Sequence, residues 1–250
     1  QERTLLRERL KTYRNLTVLK INEQSGFSRA NNIGYEYARK SEIPDYMVVC
    51  NNDIEFVQKD FLKLLEETDR KRPFAVLGPD IVDVESGAHQ NPMDTRLRTK
   101  EEADITIRLN RWGLNFYSVL YPFFVWNQDR MERKKQRRSE KNEDYRKSQD
   151  QIVPCGACLV FGKEFCQNEW KAFEPETEFY YEGYLLAYRC GQKGYRIVYD
   201  PALRVLHHSG RATKESFRDR KKRQRFVMEK MVGACEVYRR TLKQKQESST

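Results

Sequence analysis

The stretch Tyr46–Asp53, YMVVCNND, carries the reading of the fold. Tyr46–Cys50 reads as a buried strand, and it stops abruptly at Asn51, Asn52 and Asp53. Similar short apolar runs lie on either side, at Leu16–Ile21, Phe74–Gly78 with a continuation at Ile81–Val84, Cys158–Phe161, Tyr195–Tyr199 and Leu203–His207. Helical spacing marks Glu2–Arg14, Ser28–Ala38, Asp60–Thr68, Glu182–Gly191 and the long Phe217–Thr241. Strands alternating with helices predict an α/β fold, a mostly parallel sheet flanked by helices, with a helix at the C-terminal end. Ligands of such sheets collect at the carboxyl ends of the strands, so the residues just after YMVVC are the first place to look for a site.

Composition narrows the class. The 250 residues include 13 Phe, 14 Tyr and 3 Trp, enough bulk for a core, which excludes simple disorder. With 12 Gly and 8 Pro, collagen-like and low-complexity chains are excluded too. No window holds the roughly 20 apolar residues that cross a bilayer, and five charges in the first ten residues argue against a secretory leader. The six irregularly spaced cysteines do not form a disulfide framework, and the expected setting is reducing and cytoplasmic.

The net charge of +10 predicts a phosphate-bearing partner. Residues 129–147 carry nine Lys/Arg against five acids, and residues 211–225 eight against two. On charge alone a solvated helix or loop fits these runs equally well. Nucleic acid is not expected, because neither zinc-finger spacing nor an RNP-type aromatic motif accompanies them. Ile105–Trp126 is aromatic-rich and precedes the first basic run. It suits either docking on the inner face of an anionic membrane or a helix buried against the core.

Five constellations carry chemistry. Asn51-Asn52-Asp53 at a strand end offers oxygen to a hard divalent cation, and suits an ordinary turn as well. Gly26 through Gly34, GFSRANNIG, opens a helix whose N–H groups, with Asn31 or Asn32, suit a nucleotide; the alternative is a plain helix cap. Phe179–Tyr184, FYYEGY, surrounds Glu182 with aromatic rings that would raise its pKa toward that of a general base and offer a stacking face for a sugar; a helix-start Glu is the competing reading. His207-His208 follows a strand, so one of the two can face a site as a metal ligand, or serve as a core or capping histidine. Cys155-Gly-Ala-Cys158 stands alone, without the second pair that zinc would need.

In order, these elements resemble the family 2 glycosyltransferases of GT-A fold, bacterial capsule and cell-wall polysaccharide type. The resemblance rests on NEQSGFSRANNIGYEYA (22–38), DYMVVCNNDIEF (45–56), LGPDIVDVESGAHQNP (77–92), and the block from PCGACLVFGKEF through VLHHSG (154–210). It implies an inverting, metal-dependent transfer from a nucleotide-diphosphate sugar to a glycan or lipid-linked acceptor, with Mg2+ or Mn2+. Gly26, Asn31, Asn32, Asn52 and Asp53 would then bind the donor, Asp53 and His207 the metal, and Glu182 would act as base. Residues 1–210 would form the transferase-like domain, incomplete at its N-terminal end, with 105–150 a membrane-proximal basic insertion and 211–250 a basic helix and tail. Three features depart from the family pattern: Asn51 in place of an acid, Gly183 in place of the second acid after Glu182, and the lack of a match to the opening nucleotide-binding strands.

Overall fold

The structure, a computed structural model, describes residues 15–21, 25–40, 42–124, 126–127, 130, 143–209 and 219–248. The helix expected at Glu2–Arg14 and most of both basic runs lie outside these residues.

The chain forms α1 (Gly26–Ala38), β1 (Tyr46–Cys50), β2 (Ile54–Glu55), α2 (Phe61–Lys71), β3 (Val76–Asp83) and α3 (Lys100–Asn115). There follow β4 (Gln149–Asp150), β5 (Cys158–Gly162), α4 (Lys163–Asn168), α5 (Glu182–Lys193), β6 (Ile197–His207) and α6 (Arg220–Ser248). The strands make one sheet in the order β1-β5-β3-β6-β2, with β4 also on β6. The α/β class is therefore observed, and so is the C-terminal helix.

The expectation of a mostly parallel sheet is corrected. Only β3 and β6 pair in parallel among the described strands; β5 runs antiparallel to both its neighbours, and β2 and β4 run antiparallel to β6. All five residues of β5 are buried, and such a strand has the same apolar pattern whichever way it runs. Pairing directions nonetheless leave β1, β3 and β6 pointing the same way, so their carboxyl ends share one end of the sheet.

Both faces of the sheet are covered. Phe61 and Leu65 of α2 pack on Leu77, Ile81, Val160, Val198 and Leu203. On the other face Tyr35 of α1, Phe165 of α4 and Leu186 of α5 meet Met47, Val49, Leu159 and Phe161. Each such large side chain contributes on the order of 2 kcal/mol when buried. The outer side of α5, through Tyr184 and Leu185, meets Ala103 and Ile107 of α3 and Ala234 and Tyr238 of α6. α3 starts with a capping box in which Thr99 and Glu102 exchange hydrogen bonds.

Two further expectations change. Leu16–Ile21 is not a strand: it lies without regular structure, with Leu16, Val18, Leu19 and Ile21 exposed and β1 left at the edge of the sheet. An apolar run becomes a strand only where a neighbour takes its backbone groups. The two strands expected at 195–207 are one, interrupted where the register steps from Pro79–Asp200 to Asp80–Arg204. Asp80 holds this step: its buried carboxylate accepts from Arg204 Nε at 2.9 Å and meets His89 Nδ1 at 2.6 Å. Buried charge needs such partners to be tolerated.

Candidate active site at the carboxyl ends of β1, β3 and β6

Asn51–Ile54 is a turn closed by the Ile54 N–H to the Asn51 carbonyl at 3.3 Å, with Asn52 exposed at its tip. The turn and the ligand readings of this tripeptide are thus compatible. Its shape sends the chain back as β2, which pairs with β6 so that Ile54 faces His207. On the other side of β6, Asp83 of β3 is in register with His207. His207 therefore lies between Asp83 of β3 and the turn that carries Asp53.

The geometry around His207 is specific. Its Nδ1 lies 2.8 Å from Gln90 Oε1, an acceptor, so Nδ1 carries the proton. Its Nε2 lies 3.2 Å from Asp53 Oδ1. That oxygen is buried and has no hydrogen-bond partner, so the contact is close without the alignment of a hydrogen bond. In the neutral imidazole, Nε2 presents a lone pair to the carboxylate. Two acceptors so placed call for a positive charge, either a second ring proton or a metal ion. Asp83 is held otherwise, by Ser86 and Ser209. Burial works against its charge, but those hydrogen bonds and nearby His207 outweigh it and keep its pKa below the usual range.

Glu182 stands at the first turn of α5. Its Oε2 is buried without a partner, and burial raises its pKa. The two residues before it, Tyr180 and Tyr181, both have left-handed backbone, with φ of 69° and 60°. For residues other than glycine this costs on the order of 1–3 kcal/mol each, a kind of strain that gathers at functional sites. Arg98 donates to Tyr181 Oη at 2.7 Å and so pins the strained pair.

The loop 154–157 joins the two halves. The Asn51 N–H donates to the Ala157 carbonyl at 2.9 Å, while Gly156 lies so close to Glu182 that an added Cβ would stand 2.7 Å from Glu182 Cγ. Asn91, almost fully buried, ties this loop to β3: its Oδ1 accepts from the Cys155 N–H at 2.7 Å and its Nδ2 donates to the Pro79 carbonyl at 2.8 Å. Gly183 has a steric reason. A Cβ there would stand far inside contact with the Pro154 carbonyl oxygen. Gly183→Asp, which would put the absent second acid back, is therefore expected to cost about 3 kcal/mol of stability. A urea midpoint equal to that of the wild type would refute this steric account.

α1 packs against the segment 167–178. Gly26 has φ +66° and packs on the Glu178 backbone, whose carbonyl accepts the Phe27 N–H at 2.5 Å. That leading N–H is thus spent on protein, not on phosphate. Asn32 accepts from the Phe173 N–H and donates to the Phe173 carbonyl, both at 2.9 Å, so its amide is occupied. Asn31 Nδ2 donates back to the Phe27 carbonyl at 3.0 Å. Ser28 meets Thr177, and Arg39 donates to the carbonyls of Glu169 and Gln167. α1 is thus a bracket for the segment 167–178 that leads into Glu182, and Asn32, expected to bind the donor, is held by the Phe173 backbone while it lines a pocket with Lys20, Ser25 and Arg29.

The structure brings Asp53 and His207 together, and the loop 154–157 touches both the Asn51 turn and Glu182. Gly26 and Asn32 meet the acceptor-side segment at Glu178 and Phe173, while Asn31 bonds within its own helix. Gln90, Asn91, Asp83 and Gly156 were not singled out from sequence. Gln90 and Asn91 lie in the block 77–92, but nothing in AHQNP says which side chain turns inward. Among the described residues, no group of three or more His, Cys, Asp or Glu side chains is placed to hold a metal by itself. Cys155 and Cys158 are not disulfide-bonded. No protein-family model matches the chain, and no curated protein matches it.

Proposed function

We propose that the chain is the catalytic part of an inverting glycosyltransferase of GT-A type, acting on a nucleotide-diphosphate sugar and a glycan or lipid-linked acceptor. One observation carries this reading: an unpartnered carboxylate oxygen of Asp53 faces His207 Nε2, whose ring is oriented by Gln90. That donor set fits a divalent cation such as Mg2+ or Mn2+ with positions left for diphosphate and water. When bound, such a cation neutralises the charge of a departing diphosphate. Asp53 and His207 would hold it, and Gln90 keeps Nε2 free to ligate.

Glu182 supplies the other half. Its raised pKa and its Oε2, buried without a hydrogen-bond partner, suit a base that takes a proton from an acceptor hydroxyl. The acceptor oxygen then bonds to the anomeric carbon on the face opposite the diphosphate. The old carbon–oxygen bond breaks, its electron pair leaves with the diphosphate, and the proton ends on Glu182. Tyr180, half-buried beside it, offers a ring face to a sugar.

The second reading is a transferase-like protein that binds glycan or a partner enzyme without turnover. Gly183 in place of an acid, and the edge position of β1, favour it. Calorimetry with UDP-, GDP- and TDP-sugars, with and without Mn2+, separates the two. Binding of at least one donor that requires the metal is the expected result. Absence of heat for every donor, with glycan still bound, would decide for the second reading.

A further inference from the structure

The segment expected either to dock on a membrane or to lie against the core has one buried face and one exposed face. α3 continues, after a break at Phe116, into helical residues 117–124. Ala103, Ile107 and Tyr117 are buried, and the Tyr117 hydroxyl donates to the Lys221 carbonyl of α6 at 2.7 Å. The other face exposes Leu109, Trp112, Phe116, Val119, Phe123 and Trp126, Val119 to 80%. Successive members are three or four residues apart, so they form one stripe along the helical path. Neighbouring rings touch, Trp112 with Phe116 at 5.5 Å and Phe123 with Trp126 at 5.9 Å between centroids. An exposed apolar run of this kind marks an interaction surface.

The charges around the stripe identify the occupant. From Ile105 to Asn127 the ionisable residues other than tyrosine are Arg108 and Arg111, with no acid between them. At the stripe's far end Arg130 lies over the Trp126 ring, 5.4 Å from its centroid. Lys221, exposed like Lys222 beside it, lies over Tyr121 at 5.5 Å. Acids are fewer there, Glu236 of α6 pairing with Arg111 and Asp219 capping the backbone at Lys221, so a stripe of tryptophan and phenylalanine with cations in excess is complementary to a bilayer interface, with rings at headgroup depth and anionic lipid meeting the lysines and arginines. Among the described residues no helix is long and apolar enough to cross a membrane. We propose that the exposed face of 105–124, with Trp126 and Arg130, lies flat on an anionic lipid surface and holds the chain there. This is independent of the transferase reading.

Flotation of the full chain with vesicles tests it. With phosphatidylcholine and phosphatidylglycerol in equal parts the chain is expected to float, and with phosphatidylcholine alone to float far less. Raising the salt should release it. Val119→Glu with Phe123→Glu, at exposed positions outside the site, should reduce partitioning by about tenfold or more, the loss expected on removing one buried large side chain from the lipid. The thermal melt of this double variant should match that of the wild type. Lack of flotation, or flotation unchanged in the double variant, would overturn the proposal. So would a wild-type dimer that ignores vesicles and that the same two substitutions split, since the face would then belong to a second copy of the chain.

Discussion

Asp53→Ala is expected to weaken metal-dependent nucleotide-sugar binding and transfer by on the order of a thousandfold, the effect of losing several kcal/mol of charge stabilisation at the metal. Its effect on folding should be small. Asp53 Oδ1 has no hydrogen bond to lose, and the Asp53 carbonyl still accepts the His208 N–H at 2.9 Å in the variant. If His207 is neutral, removing the carboxylate also removes an acceptor facing an acceptor, so the melting temperature should hold or rise. That combination, binding lost and stability kept, distinguishes a ligand from a structural ion pair. A marked drop in melting temperature near neutral pH, with metal-dependent binding retained, would mean that an imidazolium pairs with Asp53 and that the cation binds elsewhere.

Glu182→Gln is expected to leave donor binding in place and slow transfer by about 10²- to 10⁴-fold, the usual contribution of a general base. Wild-type turnover should fall as pH drops through the raised pKa of Glu182, because the protonated acid cannot accept the acceptor's proton. Stability should move the other way. Below roughly pH 4, near the ordinary glutamate value, Glu182 is protonated in both folded and unfolded chains and contributes no pH dependence. As pH rises past that value the unfolded chain ionises first, so the buried carboxyl costs stability, and the cost is complete above its folded pKa. Gln avoids this cost. Near neutral pH the variant should be more stable by about 1–3 kcal/mol, the scale of an unsatisfied buried group, and the gain should vanish in acid. Retained turnover would move the base elsewhere, with Asp94, which accepts from Tyr184 at 2.9 Å, the next residue to replace. A variant less stable than the wild type at neutral pH would show that Glu182 has a partner in solution.

Much of this was legible in the residues. The strand at Tyr46–Cys50 and the helix starting at Glu182 fall where periodicity puts them, because both are short elements with a clear apolar face. Asp53, His207 and Glu182 were each singled out beside a competing reading, an ordinary turn, a core or capping histidine and a helix-start glutamate, and the resemblance supplied their roles. What the Asn32 amide meets was not legible: an amide on a helix has the same appearance in sequence whether it faces a nucleotide or the backbone of Phe173. Gly183, in sequence only an absent acid, is in space the place where Pro154 comes close.

Local pattern along the chain was enough to set the α/β class, the places of the long elements and the three titratable residues of the candidate site, because propensity and burial periodicity act over a few neighbouring residues. Strand direction, the meeting of Asp53 with His207 and the exposed face of 105–126 arose only in the folded chain. Each depends on contacts between segments far apart in sequence, β2 on β6, β5 against β1 and α3 on α6, and a buried strand or an aromatic helix has the same composition whichever neighbour it meets.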